Sequence, residues 1–272
     1  MKKKNIALAL GAVTTTLFVA GLPYKCDWSE YSIYSSKIKY PVRIVLLSDL
    51  HGEQHGKDMN KLVKMIEQAH GDAIVIPGDL FDEFSGDENG FTLLEQIKKY
   101  PVFYSTGNHE EHRRDVIGLK EKIKEKGVHV LDYQSEVIEL NQNKIEIGGI
   151  NCKYREVNYL ASEVNDIYQT DYFRIFLSHK PHWTSLYRDI DCDLIVSGHA
   201  HGGQWCIPFT RIGAIAPQQG LLPKYISGMH DIKNKKIVIG RGLTKDYHRI
   251  PRLYNNPEFV VINLLPETVA KI

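Results

Sequence analysis

Two histidines one residue apart, His199 and His201, stand in the stretch Ser197-Gly198-His199-Ala200-His201-Gly202-Gly203. The apolar run before it, Leu194-Ile195-Val196, is short and bounded by charge and glycine. That predicts a buried parallel strand with both imidazoles on the turn at its C-terminal end. Imidazole is the commonest protein ligand for borderline metals, and flanking glycines let the backbone bend so that two rings reach one cleft. Alone, His-x-His is equally at home in an ordinary polar turn, so its partners along the chain decide.

The partners fall at other strand tips. Pro41 to Leu47 reads as a strand ending in Ser48-Asp49-Leu50-His51-Gly52. Ala73 to Ile76 ends in Pro77-Gly78-Asp79-Leu80-Phe81-Asp82, and Val102 to Ser105 ends in Thr106-Gly107-Asn108-His109-Glu110. Between them lie helices. Met59, Leu62, Val63, Ile66 and Ala69 have helical spacing after an N-cap at Asp58, and Phe91 to Tyr100 forms the next. Asp49, Asp79 and Asn108 are therefore about one strand-helix unit apart and share one edge of one sheet, where right-handed crossovers leave a crevice. A helix from Arg113 to Lys126 and two β-rich runs near Gly148-Gly149 follow. Strand Arg174 to Leu177 then delivers His179. Strands at Lys236 to Ile239 and Phe259 to Ile262 are joined by a polar loop.

Asp49, His51, Asp79, Asn108, His109, His179, His199 and His201 together offer more oxygen and nitrogen donors than one four-coordinate ion uses. Two adjacent divalent ions sharing a carboxylate would employ them all. Oxygen and nitrogen without thiolate suit manganese, iron or zinc and argue against copper or iron–sulfur chemistry.

Composition is that of a globular α/β chain, with 43% hydrophobic and 25% charged residues in 272, and predicts one catalytic domain over residues 41–272. The net charge of +1 shows no Lys/Arg excess for a nucleic-acid groove, so no nucleic-acid partner is expected. Four cysteines without Cys-x-x-Cys spacing exclude a disulfide scaffold. Met1-Lys2-Lys3-Lys4 followed by the uncharged run Ile6 to Leu22 reads as an N-terminal signal anchor or signal peptide over residues 1–22. The anchor is favoured, because no Ala-x-Ala site closes the run. Residues 23–40 read as a linker. On that reading the domain is held at the cell membrane and faces outside the cytoplasm, or is secreted after cleavage.

The motif series Asp49-Leu-His51, Gly78-Asp79-Leu-Phe-Asp82, Gly107-Asn108-His109-Glu110, His179 and Gly198-His199-Ala-His201 resembles the calcineurin-like metallophosphoesterases. It spans Pro41 to Gln204 in order. Gly198 to Gln204, the residues around Tyr225, and Gly240-Arg-Gly-Leu243 look like the bacterial membrane-anchored branch of YkuE/YaeI type. The resemblance implies an α/β fold, a two-sheet αββα sandwich with a dimetal site at strand C-terminal ends, and phosphoester hydrolysis. It implies that Asp49, His51, Asp79 and His201 hold one ion and that Asp79, Asn108, His179 and His199 hold the other. His109 is then the catalytic acid, and its bland alternative is a buried structural histidine. Asp82 and Glu110 are candidates to orient histidines from behind, with Asp82 as readily a turn former. Arg113 and Arg241 are candidates for substrate contact or support, against a solvated-surface alternative. An envelope-associated phosphodiester is the expected substrate. The runners-up are a lipid-precursor sugar nucleotide diphosphate and a non-catalytic binding module.

Overall fold

In chain order the strands are β1 (Asp27–Ser35), β2 (Val42–Leu46), β3 (Ala73–Ile76), β4 (Val102–Tyr104), β5 (His129–Val130), β6 (Gln134–Leu140), β7 (Asn143–Gly149), β8 (Phe173–Leu177), β9 (Leu194–Ser197), β10 (Ile215–Ala216), β11 (Gly220–Leu221), β12 (Gly228–Ile232), β13 (Lys235–Ile239), β14 (Asp246–Tyr247), β15 (Ile250–Pro251) and β16 (Glu258–Pro266). The helices are α1 (Lys2–Gly21), α2 (Asn60–Ala69), α3 (Glu88–Ile97), α4 (Asn108–His112), α5 (Val116–Glu125), α6 (Leu160–Asp166) and α7 (Thr184–Asp189). This computed structural model describes residues 2–153, 160–247 and 250–268.

Two six-stranded sheets, ordered β1-β16-β2-β3-β4-β5 and β12-β13-β9-β8-β7-β6, lie face to face. β2 to β5 run parallel to one another, as do β7, β8, β9 and β13, so the C-terminal tips of both parallel sets carry the motif loops. Alternation along each strand sorts the core. Ile44, Leu46 and Val75 point between the sheets against Ile147, Ile175 and Val196. Val45, Ile74 and Ile76 point outward, under Leu62 and Ile66 of α2, Leu93 of α3 and Ile123 of α5. Phe176, Ile195 and Ile237 do the same on the second sheet, beneath Val164 of α6 and Tyr187 of α7. Each such side chain contributes about 1.5–3 kcal/mol on burial, so the strands are fixed on both faces and their tips inherit that rigidity. The expected two-sheet α/β sandwich is the fold.

Four local expectations change. Within residues 23–40, read as a linker, Asp27–Ser35 forms β1, paired in parallel with β16. Its inward positions are Asp27, Ser29, Tyr31, Ile33 and Ser35, mostly polar, so the period of two left no hydrophobic trace. The N-terminal run does form helix α1, yet no helix among the described residues is long and apolar enough to cross a membrane. The uncharged part of α1 contains Gly11 and Thr14 to Thr16 and stays short of the ~20 apolar residues a span needs. Asp58 has φ 52° in a short turn and caps nothing, so α2 begins at Asn60. The helix predicted from Arg113 begins at Val116, because Arg113 is extended (φ −72°, ψ 142°) and separates α4 from α5.

Candidate metal centre

Asp49 and His51 follow β2, Asp79 follows β3, and Asn108 and His109 open α4 after β4. His179 follows β8, and His199 and His201 follow β9. The loops are tied to one another by backbone bonds: Asp49 N–H donates to Gly78 O at 3.3 Å, His51 N–H to Asp79 O at 3.0 Å and Gly198 N–H to His179 O at 3.1 Å. Two carboxylates then cross loops. Asp49 Oδ1 accepts from His199 N–H at 2.8 Å, joining the two sheets, and Asp79 Oδ1 accepts from His109 N–H at 3.0 Å. Glycine is required where these oxygens pass. A Cβ on Gly198 would lie 2.3 Å from Asp49 Oδ2, and one on Gly107 would lie 2.1 Å from Asp79 Oδ1.

Five of the converging residues hold left-handed backbone angles: Asp49 (φ 49°), His51 (50°), Asp79 (52°), His199 (67°) and His201 (46°). Each such residue costs on the order of 1 kcal/mol or more, a strain that persists only where the surrounding bonds over-determine it. Asp49, Asp79, His109, His179, His199 and His201 are all buried.

The ligand atoms fall into adjoining groups, each within 4.8 Å: Asp49 with His51 and His201, Asp79 with His179 and His199, and His51 with Asp79 and His109. Asp79 Oδ2 lies 2.9 Å from His179 Nε2, 3.8 Å from His51 Nε2 and 4.0 Å from His109 Nε2. His201 Nε2 lies 3.9 Å from Asp49 Oδ1. Asp49 Oδ2 and Asn108 Oδ1 are buried and have no hydrogen-bond partner among the described residues, a desolvation cost that a bound cation would offset. Burial opposes ionisation of Asp79, but His179, His109 and His51 outweigh it and hold the carboxyl well below the usual range. Burial also works against a charged His179, yet Asp79 holds it up at about 9. Burial, then the neighbouring His179 for one and His51 for the other, keep His199 and His201 well below the ordinary histidine value, hence neutral and able to ligate. Oxygen and imidazole donors, orphaned acceptors and neutral rings all fit divalent metal ions.

Behind this layer, His179 Nδ1 is 2.9 Å from Pro77 O and His51 Nδ1 is 2.9 Å from Asp82 Oδ2, contacts that aim the opposite ring nitrogens at the cluster. Asp82 thus contacts His51 and also accepts from Phe84 N–H at 2.7 Å as a turn former does. Glu110 touches backbone instead of histidine: it accepts from Asp79 N–H (3.0 Å), Gly107 N–H (2.9 Å) and Phe81 N–H (2.9 Å). Burial and the Asp79 charge push its carboxyl up to about 7.

The two arginines expected near substrate have other work. Arg113 is held by Asp87 (2.5 Å) and Asp115 (2.9 Å), and Arg241 by Asp27 (3.0 Å) and Glu258 (3.4 Å). Both brace the fold. Arg249 lies outside the described residues. Arg252, from the polar loop between β13 and β16, is fully buried with Nη2 3.3 Å from His201 Nδ1. Two residues near the cluster escaped sequence reasoning: Gln218 beside His199, and Glu83, whose Oε2 lies 2.5 Å from His109 Nδ1. Only Glu83, directly after Asp82, carried a sequence signal.

Fold and site define an α/β sandwich with a divalent-metal centre at strand tips. The calcineurin-like phosphoesterase profile matches residues 42–203, and the chain belongs to that family. An uncharacterized metallophosphoesterase of Campylobacter jejuni is 30% identical over 84% of this chain and 60% of its own length. Phosphodiesterase YaeI of Escherichia coli is 26% identical over 97% of this chain and 100% of its own. The uncharacterized metallophosphoesterase YkuE of Bacillus subtilis is 26% identical over 89% and 86%. This chain spans about three fifths of the length of the Campylobacter protein. Among solved structures, TT1561 of Thermus thermophilus superposes with a TM-score of 0.54 at 12% identity, covering 75% of this chain and 91% of that one, a likeness of fold.

Proposed function

We propose that the chain hydrolyses a phosphoester with two divalent ions in this cleft. The observation that carries the reading is the convergence on Asp79 Oδ2 of ring nitrogens from both sheets, His51 and His109 on one side and His179 on the other. Asp49, His51, Asp79 and His201 would hold one ion, and Asp79, Asn108, His179 and His199 the other, with Asp79 shared. Such a pair, of manganese, zinc or iron, supplies Lewis acidity toward phosphoryl oxygens and a water acidic enough to attack near neutral pH. The chain's own residues position and protonate. His109 presents Nε2 toward the cluster while its Nδ1 is held by Glu83. A proton carried on Nε2 would be the one given to the departing oxygen. Glu110 fixes the backbone from which Asp79 and Asn108 project.

The finer reading is a domain attached to a membrane through α1, facing outside the cytoplasm and acting on an envelope phosphodiester. It is supported by the lysine-led start and by the exposed apolar side chains of Leu8, Leu10, Val13, Leu17 and Val19. The test of the chemistry is hydrolysis of bis-p-nitrophenyl phosphate and p-nitrophenyl phosphate by the purified chain with Mn²⁺ or Zn²⁺. Asp79→Ala and His199→Ala should abolish it, and unchanged turnover in either would refute the site.

A further inference from the structure

The segment of residues 205–227 supplies none of the clustered Asp, Asn and His residues, yet it is fastened beside the His199-Ala200-His201 turn at two places and braced within itself at a third. Backbone meets backbone where a Cβ on Gly213 would lie 2.7 Å from Gly203 Cα. Ala216 of β10 packs with Ala200, the residue between the two histidines, and with Ile226 in a small buried cluster. Gln219 closes the far side, donating from Nε2 to Tyr225 O at 2.8 Å and accepting from Tyr225 N–H at 3.0 Å. Between these fastenings β10 and β11 pair as a two-stranded ladder, and Gln218 occupies the turn with φ 56°. Its Oε1 lies 2.7 Å from His199 Nε2.

The other nitrogen of that ring faces the cluster: His199 Nδ1 is 3.1 Å from His179 Nε2, which is itself 2.9 Å from Asp79 Oδ2. A neutral imidazole carries one hydrogen. If Nε2–H donates to the Gln218 carbonyl, Nδ1 keeps its lone pair and directs it at the point shared with His179 and Asp79. We propose that Gln218 is a positioning residue for the second ion, fixing the ring orientation and tautomer of His199 from a hairpin built onto the His199-Ala200-His201 turn. His179 and His51 use fixtures from the strand-tip loops, Pro77 O and Asp82, and His201 has Arg252 beside its Nδ1; His199 takes its fixture from a separate hairpin. Outer partners of this kind typically change metal affinity by roughly 10- to 100-fold.

The inference rests on the dimetal reading above, and its test separates the two. Gln218 is exposed, so Gln218→Leu removes the acceptor without opening the core. Gln218→Glu keeps an acceptor at the same reach. Chelator-treated full-length chain is titrated with Mn²⁺ by calorimetry, and the His199 tautomer is read in the ion-free protein by ¹⁵N NMR of the imidazole nitrogens. The expected result is a roughly 10- to 100-fold weaker second site in Gln218→Leu, the first site unchanged, and affinity restored in Gln218→Glu. The ion-free wild type and Gln218→Glu should hold Nε2–H, and Gln218→Leu should show a mixture. Wild-type affinity and tautomer in Gln218→Leu overturn the proposal, as does equal loss in Gln218→Glu, which would mark a purely structural hairpin. The tautomer measurement needs no ion, so it judges Gln218 even if the wild-type chain bound no metal and the dimetal reading fell.

Discussion

Asp79 Oδ2 and His179 Nε2 lie 2.9 Å apart, each side chain about 1% exposed, and they come from different sheets. The pair bridges the seam of the sandwich at the cleft, so the charge state of the site and the apposition of the two sheets are one problem. In the ion-free protein a proton on His179 would take the role proposed above for a cation.

That gives a pH dependence with a definite sign. The folded value of His179 is raised from 6.5 to about 9, so its stabilisation of the ion-free fold is complete below pH 6.5 and is lost as pH rises through about 9. Asp79 is shifted the other way, and its contribution is lost only on acidification below the usual carboxylate range. Melting temperatures in chelator should therefore fall between pH 6.5 and 9, and His179→Asn should lack that slope. Metal affinity should rise across the same window, because the ion displaces the proton. A flat wild-type profile from 6.5 to 9 would show that the pair holds no proton.

Glu110 is a structural requirement of the site. Its two oxygens receive three backbone N–H donors, from Asp79, Phe81 and Gly107. Glu110→Gln replaces one acceptor by an amide NH₂ facing a donor, and should cost about 1–3 kcal/mol in denaturant unfolding, with metal content reduced. Stability equal to wild type would mean that the backbone bonds re-form with water.

His109 and Glu83 should separate chemistry from metal binding. His109→Ala is expected to retain both ions by elemental analysis and to lose roughly 10²- to 10⁴-fold in turnover. Glu83→Gln, which keeps a hydrogen bond to Nδ1 and removes the charge, should fall between wild type and His109→Ala. Lost metal in His109→Ala would make the ring a ligand and move the acid elsewhere.

These residues also mark how far the sequence could be read. The residues that converge, and their order, were legible because each sits at a strand tip announced by an apolar run and a glycine, as in Ile76-Pro77-Gly78-Asp79. β1 was illegible because three of its five inward positions, Asp27, Ser29 and Ser35, are polar and only Tyr31 and Ile33 carry large apolar groups, so pairing with β16 fixes a strand that side-chain pattern does not announce. The ion pairs of Arg113 and Arg241 and the burial of Arg252 depend on contacts such as Arg241 with Asp27, 214 positions apart. Gln218 meets His199 only because Gly213 and Gly203 allow two backbones to touch, a pairing no local spacing encodes.

The attachment of α1 can be tested apart from the site. Tyr254 bonds the helix twice, its hydroxyl donating to Leu17 O and its N–H to Gly21 O, both at 2.6 Å, and a Cβ on Gly21 would meet its ring at 2.8 Å. The apolar side chains along the helix are exposed, so little of the sandwich core depends on it. Two hydrogen bonds at an exposed junction contribute about 1–3 kcal/mol at most, a melting shift of roughly 2–8 °C for a domain of this size. Deleting residues 1–22 should therefore keep two ions per chain and turnover of bis-p-nitrophenyl phosphate, and on the proposed attachment through α1 it should shift the chain from the membrane fraction to the soluble one. Loss of metal on truncation would instead make the Tyr254 junction part of the cleft, through Leu253, whose carbonyl accepts from Cys206 N–H at 2.8 Å, and through Asn255, which donates to His201 O at 2.7 Å.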